Sequence, residues 1–154
     1  MENTWKMVDG QWKIIMKRVM VFGAFDGLHP GHIDFFKQAK QYGDILTVSV
    51  GTDNNVTKIK GKKPLFNQKE RLELVAECRL VDRTVMGAEK DFWREIKKHK
   101  PDVICLGYDQ WATEEDVRAG LASVGMTAIL VVRLRPHKAG RAKSTHLKNR
   151  SVDF

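Results

Sequence analysis

Residues 23–32 read Gly23-Ala24-Phe25-Asp26-Gly27-Leu28-His29-Pro30-Gly31-His32. The stretch before them, Arg18-Val19-Met20-Val21-Phe22, is a short apolar run and predicts a buried strand. The stretch after them, Ile33 to Tyr42, has the apolar spacing of an amphipathic helix. A strand, a glycine-rich turn and a helix opening with two histidines together make an anion site. The helix start offers unpaired N–H groups and the positive end of the helix dipole. Gly23, Gly27 and Gly31 let backbone approach a ligand where a Cβ would block it. Pro30 suits a first helical turn, where its missing N–H costs nothing. His29 and His32, three residues apart, share one face and aim at the same anion.

Working outward, the chain alternates strands and helices. Asp44 to Val50 is β-rich, Val81 to Met86 predicts a strand ending at Gly87, and Val103 to Leu106 predicts one ending at Gly107. Thr127 to Val132 predicts a fifth. Asn67 is a candidate cap for a helix reaching about Glu77. Asp91 to Lys100 predicts a helix stopped by Pro101. Thr113 is a candidate cap for another, with Glu114, Glu115 and Asp116 in its first turn and Gly125 closing it. Ser144 is a candidate opener of a short last helix. Near-continuous apolar strands in a βαβαβαβαβ order predict a parallel sheet covered on both faces. With right-handed crossovers this is a Rossmann-like, doubly wound α/β domain with a five-stranded parallel sheet, expected over residues 18–154. Ligands in such folds sit beyond the strand C-termini. The histidine stretch, Gly51-Thr52-Asp53 with the following lysines, Gly107-Tyr108-Asp109-Gln110, and Arg133, Arg135 and Ser144-Thr145 all follow strands, so they are expected to converge.

Composition narrows the partners. The chain has 154 residues, 42% hydrophobic and 30% charged, as expected of a globular domain rather than a disordered or membrane chain. No apolar run approaches a membrane span, and the N-terminus lacks a signal-peptide pattern. Cys78 and Cys105 are isolated, with no metal-ligand spacing, which fits a reducing, cytoplasmic setting. The formal charge of +8 is uneven. Val117 to Val152 contains no acidic residue, and Lys58, Lys60, Lys62 and Lys63 cluster in an expected loop. Beside an anion motif, such clusters suit nucleotide phosphates.

The pattern Gly23-Ala24-Phe25-Asp26 followed by His29-Pro30-Gly31-His32 resembles the G-x-F-D-x-x-H-x-G-H signature of the cytidylyltransferase-like nucleotidyltransferases. The resemblance extends from Arg18 to Arg150. It implies that His29 and His32 contact the nucleotide phosphates and stabilise the transition state, with Gly23, Ala24, Phe25, Asp26 and Gly31 forming the nucleotide loop. It implies a phosphate-binding lysine, for which Lys60 is the choice and Lys62 the alternative. It gives Arg71 a phosphate contact, although a solvated helix arginine is the plain alternative. Gly107-Tyr108-Asp109-Gln110 resembles the nucleoside-binding turn, with Asp109 near ribose or base. Ser144-Thr145 resembles the late segment whose hydroxyl and N–H groups hold the triphosphate. Lys143 and His146 depart from the residues common there. Arg133, Arg135 and Arg141 compete for the late-loop arginine, with Arg135 the choice. Asp26 is expected to orient the loop or a metal, or to bond its own backbone as a turn residue.

The implied reaction transfers a nucleoside monophosphate from a triphosphate to a phosphate-bearing acceptor, releasing pyrophosphate. Mg²⁺ is expected to enter with the nucleotide, held by phosphate oxygens and water; no residues have the spacing of a resident metal site. The sections around Lys60 to Pro64, Leu106 to Gln110 and Lys143-Ser144 look most like the FAD synthase branch, which implies ATP and FMN as substrates. A glycerol-3-phosphate cytidylyltransferase using CTP is the runner-up. A non-catalytic nucleotide or RNA binder, with Trp5, Trp12 and Trp111 as stacking surfaces, is the alternative from another class. DNA and membranes are not expected partners; a homodimer is, since relatives in the family are often dimers. Residues 1–17 lie outside the resemblance. Their Trp5, Met7, Trp12, Ile14, Ile15 and Met16 are too apolar for a free tail and are expected to cover the sheet or a partner subunit.

Overall fold

A computed structural model describes residues 4–137 of the chain. Two short strands come first, β1 (Thr4–Val8) and β2 (Gln11–Ile15). They form an antiparallel hairpin in its own two-stranded sheet. Asp9 and Gly10 turn it with φ of 48° and 73°. Two successive left-handed residues match the right-handed twist of a hairpin, which is why Asp-Gly serves there. Trp5 pairs with Ile14 and Met7 with Trp12, so these four share one face of the hairpin. All four are exposed. They do not cover the central sheet, a correction to one expectation for residues 1–17. Among the described residues the hairpin pairs only with itself and leaves its apolar face outward.

The central sheet is built from β3 (Arg18–Gly23), β4 (Ile45–Val50), β5 (Arg83–Met86), β6 (Val103–Leu106) and β7 (Leu130–Arg133). All pairings are parallel, in the order β5-β4-β3-β6-β7. The chain winds outward from β3 to one edge and then returns to the other side. The switch point therefore lies between β3 and β6, and their C-terminal ends open a crevice.

Alternation along β3 divides the core. Val19 and Val21 pack with Phe36 and Ala39 of α1 (Pro30–Lys40) and Val75 of α3 (Gln68–Ala76). Met20 and Phe22 face the other way, toward Ile96 of α4 (Phe92–His99) and Val117 and Leu121 of α5 (Glu114–Ser123). Helices on both faces explain why Val19 to Phe22 and Val103 to Leu106 are apolar at every position rather than every second one, while β4 buries Thr47 and Ser49 among its apolar residues. Cys105 is wholly buried among them, and burial pushes its thiol up to about 12, so it is an inert core group.

The helix caps follow local chemistry. Asn67 and Thr113 both close capping boxes, with Glu70 and Asp116 as the reciprocal partners. One helix is absent from the reading of the sequence: α2 (Asp53–Lys60) occupies the expected lysine loop. Thr52 caps it and Gly61, at φ 73°, ends it. Asn54, Asn55, Val56 and Thr57 are weak helix formers, so propensity hides this element and capping reveals it. No helix among the described residues is long and apolar enough to cross a membrane.

Candidate active site

The site begins where β3 ends. Phe25 takes a left-handed conformation, φ 50°, and is almost fully buried. That conformation is strained for a bulky residue, and the strain is held by packing. The Phe25 ring lies 5.4 Å from Phe36 and meets the His32 ring edge-on at 5.3 Å. It also folds back over Gly23, where a Cβ would come within 2.8 Å of it. Gly23 is thus glycine for room rather than for φ.

His29 is the residue that starts α1. Its backbone is extended, and its Nδ1 accepts the Gly31 N–H at 3.0 Å. The His29 N–H in turn donates to Nδ1 of His32 at 3.4 Å. The two imidazoles stack, centroids 3.8 Å apart and 23° between planes. Burial pushes the His32 pKa down to about 3, reinforced by His29 and Lys60. Burial also lowers the pKa of His29, with His137 adding to the effect. Both rings are therefore neutral near pH 7. A neutral imidazole that accepts at Nδ1 carries its proton on Nε2. The cap thus fixes the tautomer and leaves each ring one N–H donor on the side away from the helix backbone.

These rings line a cleft of about 870 Å³ at the C-terminal end of the sheet. Gly23, Ala24, Phe25, His29, Gly31, His32, Lys60, Gly107, Asp109 and Arg135 all border it. Ten residues singled out from the sequence are thereby gathered on one cavity, from three strand ends, the start of α1 and the end of α2. Ser144 and Thr145 lie outside the described residues, as does Arg141. Among the described residues, no group of three or more His, Cys, Asp or Glu side chains is placed to hold a metal ion.

Two expectations are corrected. Arg71 is wholly buried and does not border the cleft. Its guanidinium donates to the carbonyls of Phe66, Ala24 and Gly51 and to Oδ1 of Asp53, all within 2.9 Å. It ties the loops after β3 and β4 to α2 and α3, and four of its five N–H donors are directed at these protein oxygens. Asp26 is buried too, and its two carboxylate oxygens accept the Leu65 and Phe66 N–H groups at 2.7 and 2.9 Å. It orients a loop, as one reading held, and the loop it holds lies some 40 residues further along the chain. Of the late arginines, Arg133 donates to the carbonyls of Gly107, Gln110 and Ala112 and to Glu114. It braces the 107–112 loop, which leaves Arg135 as the described late arginine at the cleft.

Further residues line the cleft: Gln110 and Trp111, named above in the 107–110 turn and as a stacking surface, and others that the sequence reading did not single out for the site. Gln110 crosses the switch point: its Nε2 donates to the Phe22 carbonyl at 2.7 Å, and its Oε1 accepts the Gly107 N–H at 2.8 Å. Asn55 borders the cleft and donates to the Ala88 carbonyl at 3.0 Å. Phe22, Ile59, Phe92, Trp93 and Trp111 add apolar wall. Their signal in the sequence is only their place just before or after strand ends, which many core residues share.

Known proteins agree with this geometry. Residues 20–150 match the family described as Cytidylyltransferase-like. An FAD synthase of Methanosarcina barkeri is 43% identical over 116 residues, covering 75% of this chain and 82% of that one. An FAD synthase of Thermoplasma volcanium is 36% identical over 139 residues, covering 90% and 96%. A solved structure described as a lipopolysaccharide core biosynthesis protein from Thermoplasma volcanium superposes with a TM-score of 0.74 at 39% identity, covering 79% of this chain and 98% of that one. A pantoate-beta-alanine ligase from Francisella tularensis shares the fold, at a TM-score of 0.56 and 18% identity, over 89% of this chain and 66% of that one. A paired-histidine helix start at the switch point of a parallel sheet, and a match over most of the length, lead to one conclusion: the chain belongs to the cytidylyltransferase-like family and is a nucleotidyltransferase.

Proposed function

We propose that this chain is an FAD synthase, transferring AMP from ATP to the phosphate of FMN with release of pyrophosphate. The observation that carries the reading is the likeness to FAD synthases along most of both chains, 90% of this one and 96% of the Thermoplasma volcanium protein. An FMN phosphate oxygen attacks the α-phosphorus of ATP. One P–O bond forms as the bond from that phosphorus to the bridging oxygen breaks, and pyrophosphate departs with the electron pair. The attacking phosphate is already anionic, so no general base is required. The barrier is charge repulsion and alignment, which a site lowers by positioning and by donors aimed at developing charge.

His29 and His32 supply Nε2–H donors to the α-phosphate oxygens and the bridging oxygen. Lys60, at the end of α2, and Arg135 neutralise the pyrophosphate. Gly107 and Asp109 hold the nucleoside, and Ser144 and Thr145 the triphosphate. Magnesium brought in with the nucleotide would be held chiefly by phosphate oxygens and water rather than by side chains, and would supply charge neutralisation to the triphosphate.

Incubation of the protein with ATP or CTP against FMN, glycerol 3-phosphate and other phosphate esters, following pyrophosphate and FAD, tests the reading. FAD formed only with ATP and FMN supports it. Turnover confined to CTP with glycerol 3-phosphate overturns it.

A further inference from the structure

The cleft has two unlike halves. On the side of β6 and β7 the wall carries the polar side chains of Tyr108, Asp109, Gln110 and Arg135, beside Leu106, Trp111 and Ala112. Toward α2 and the start of α4 it carries the apolar side chains of Val56, Ile59, Phe92 and Trp93, beside Asn55, Lys60 and Glu89. Three aromatic rings run along that second wall. Phe22, one residue before Gly23, lies 5.4 Å from Phe92, and Phe92 lies 4.9 Å from Trp93. The rings reach from the end of β3, where the histidine loop begins, out along α4. Phe92 is 41% exposed although it lies in the cleft wall.

The seat of Trp93 is built at a cost. Its indole lies against Gly120 in the middle of α5, where a Cβ would stand 2.0 Å from the ring. Glycine inside a helix is destabilising relative to alanine. Here it makes room for one indole, which fixes the back of the aromatic wall and with it the place of Phe92.

A polar half suits a nucleoside, whose edges need hydrogen bonds. An aromatic half offers nothing to a small phosphate ester such as glycerol phosphate, but it offers a stacking surface to a planar ring. We propose that Phe92, backed by Trp93, stacks on the flavin ring of the acceptor and sets its specificity, while the adenosine occupies the half formed by residues 107–110. This rests on the FAD synthase reading above.

The test uses the full chain and compares Phe92→Ala, Phe92→Leu and Phe92→Tyr. Loss of the ring in the first two should raise KM for FMN roughly five- to 150-fold, the range that ring stacking carries. KM for ATP should stay within about twofold, since the nucleoside half is untouched. Phe92→Tyr should restore the FMN value. FMN titration gives a reading without turnover: the dissociation constant of FMN, followed by flavin fluorescence polarisation, should rise in Phe92→Leu and return in Phe92→Tyr. An unchanged FMN KM in Phe92→Leu, or a rise in the ATP KM instead, overturns the proposal while wild-type FAD formation leaves the enzyme assignment standing. Absence of FAD formation by the wild type removes both.

Discussion

The His29 imidazole lies flat against that of His32, 3.8 Å between centroids, and His29 also accepts the Gly31 N–H that starts α1. One side chain therefore serves the fold and faces the cleft. The two duties separate by substitution. His29→Asn keeps a good N-cap and removes the imidazole donor. It should unfold within a few degrees of wild type yet turn over about a hundred-fold more slowly. His29→Ala should lose that activity and also about 1 kcal/mol of stability, the usual cost of a missing cap. Thermal unfolding beside steady-state turnover checks the pair; near-normal turnover in His29→Asn would remove the histidine from the mechanism.

Protonation of His32 acts in one direction. Its folded pKa, about 3, lies well below the ordinary 6.5. Between those values the unfolded chain takes up a proton that the folded chain refuses. This group thus stabilises the fold above pH 6.5, and the contribution falls as pH drops toward 3, at no more than about 1.4 kcal/mol per pH unit. Denaturant titrations from pH 7 to 4 on wild type and His32→Gln should show a smaller acid loss in the variant. Turnover of the wild type should show no break near pH 6.5 arising from His32.

Arg71 is predicted to matter for stability before it matters for nucleotide. Arg71→Ala leaves the carbonyls of Ala24, Gly51 and Phe66 and the Asp53 carboxylate without their donor. Breaking a buried charged network this way costs roughly 3–5 kcal/mol. A solvent-facing arginine that only touched phosphate would leave the melting temperature nearly unchanged. Calorimetry on Arg71→Ala and Arg71→Lys distinguishes these, with a large drop expected in the first.

Gly120→Ala should destabilise the protein, against the usual gain from alanine inside a helix. The added methyl meets the Trp93 ring at 2.0 Å, and overpacking of this kind costs about 1–3 kcal/mol. An increase in melting temperature would show that the indole moves aside freely.

The strands were legible in the sequence because a sheet covered on both faces demands apolar residues at every position, and Val19 to Phe22 and Val103 to Leu106 supply them. Asn67 and Thr113 were legible as caps because capping is chemistry between near neighbours. The hairpin was missed although Asp9-Gly10 between Trp5-Met7 and Trp12-Ile14 is a local signal for one. The burial of Arg71 and Asp26 had no local signal at all. Their partners lie 5 to 47 residues away, so solvated and buried readings of the same letters are equally consistent with the sequence. Trp93 and Gly120 belong to the same class: a ring and a gap made for it lie on different helices.

Because the residue that caps α1 is also one that faces substrate, heat cannot fray that end while sparing function. Loosening of a single helical turn would release the His29 ring from the Gly31 N–H and silence the cleft while the rest of the sheet stands intact. Inactivation on warming should accordingly run ahead of global melting, with bound nucleotide closing the gap.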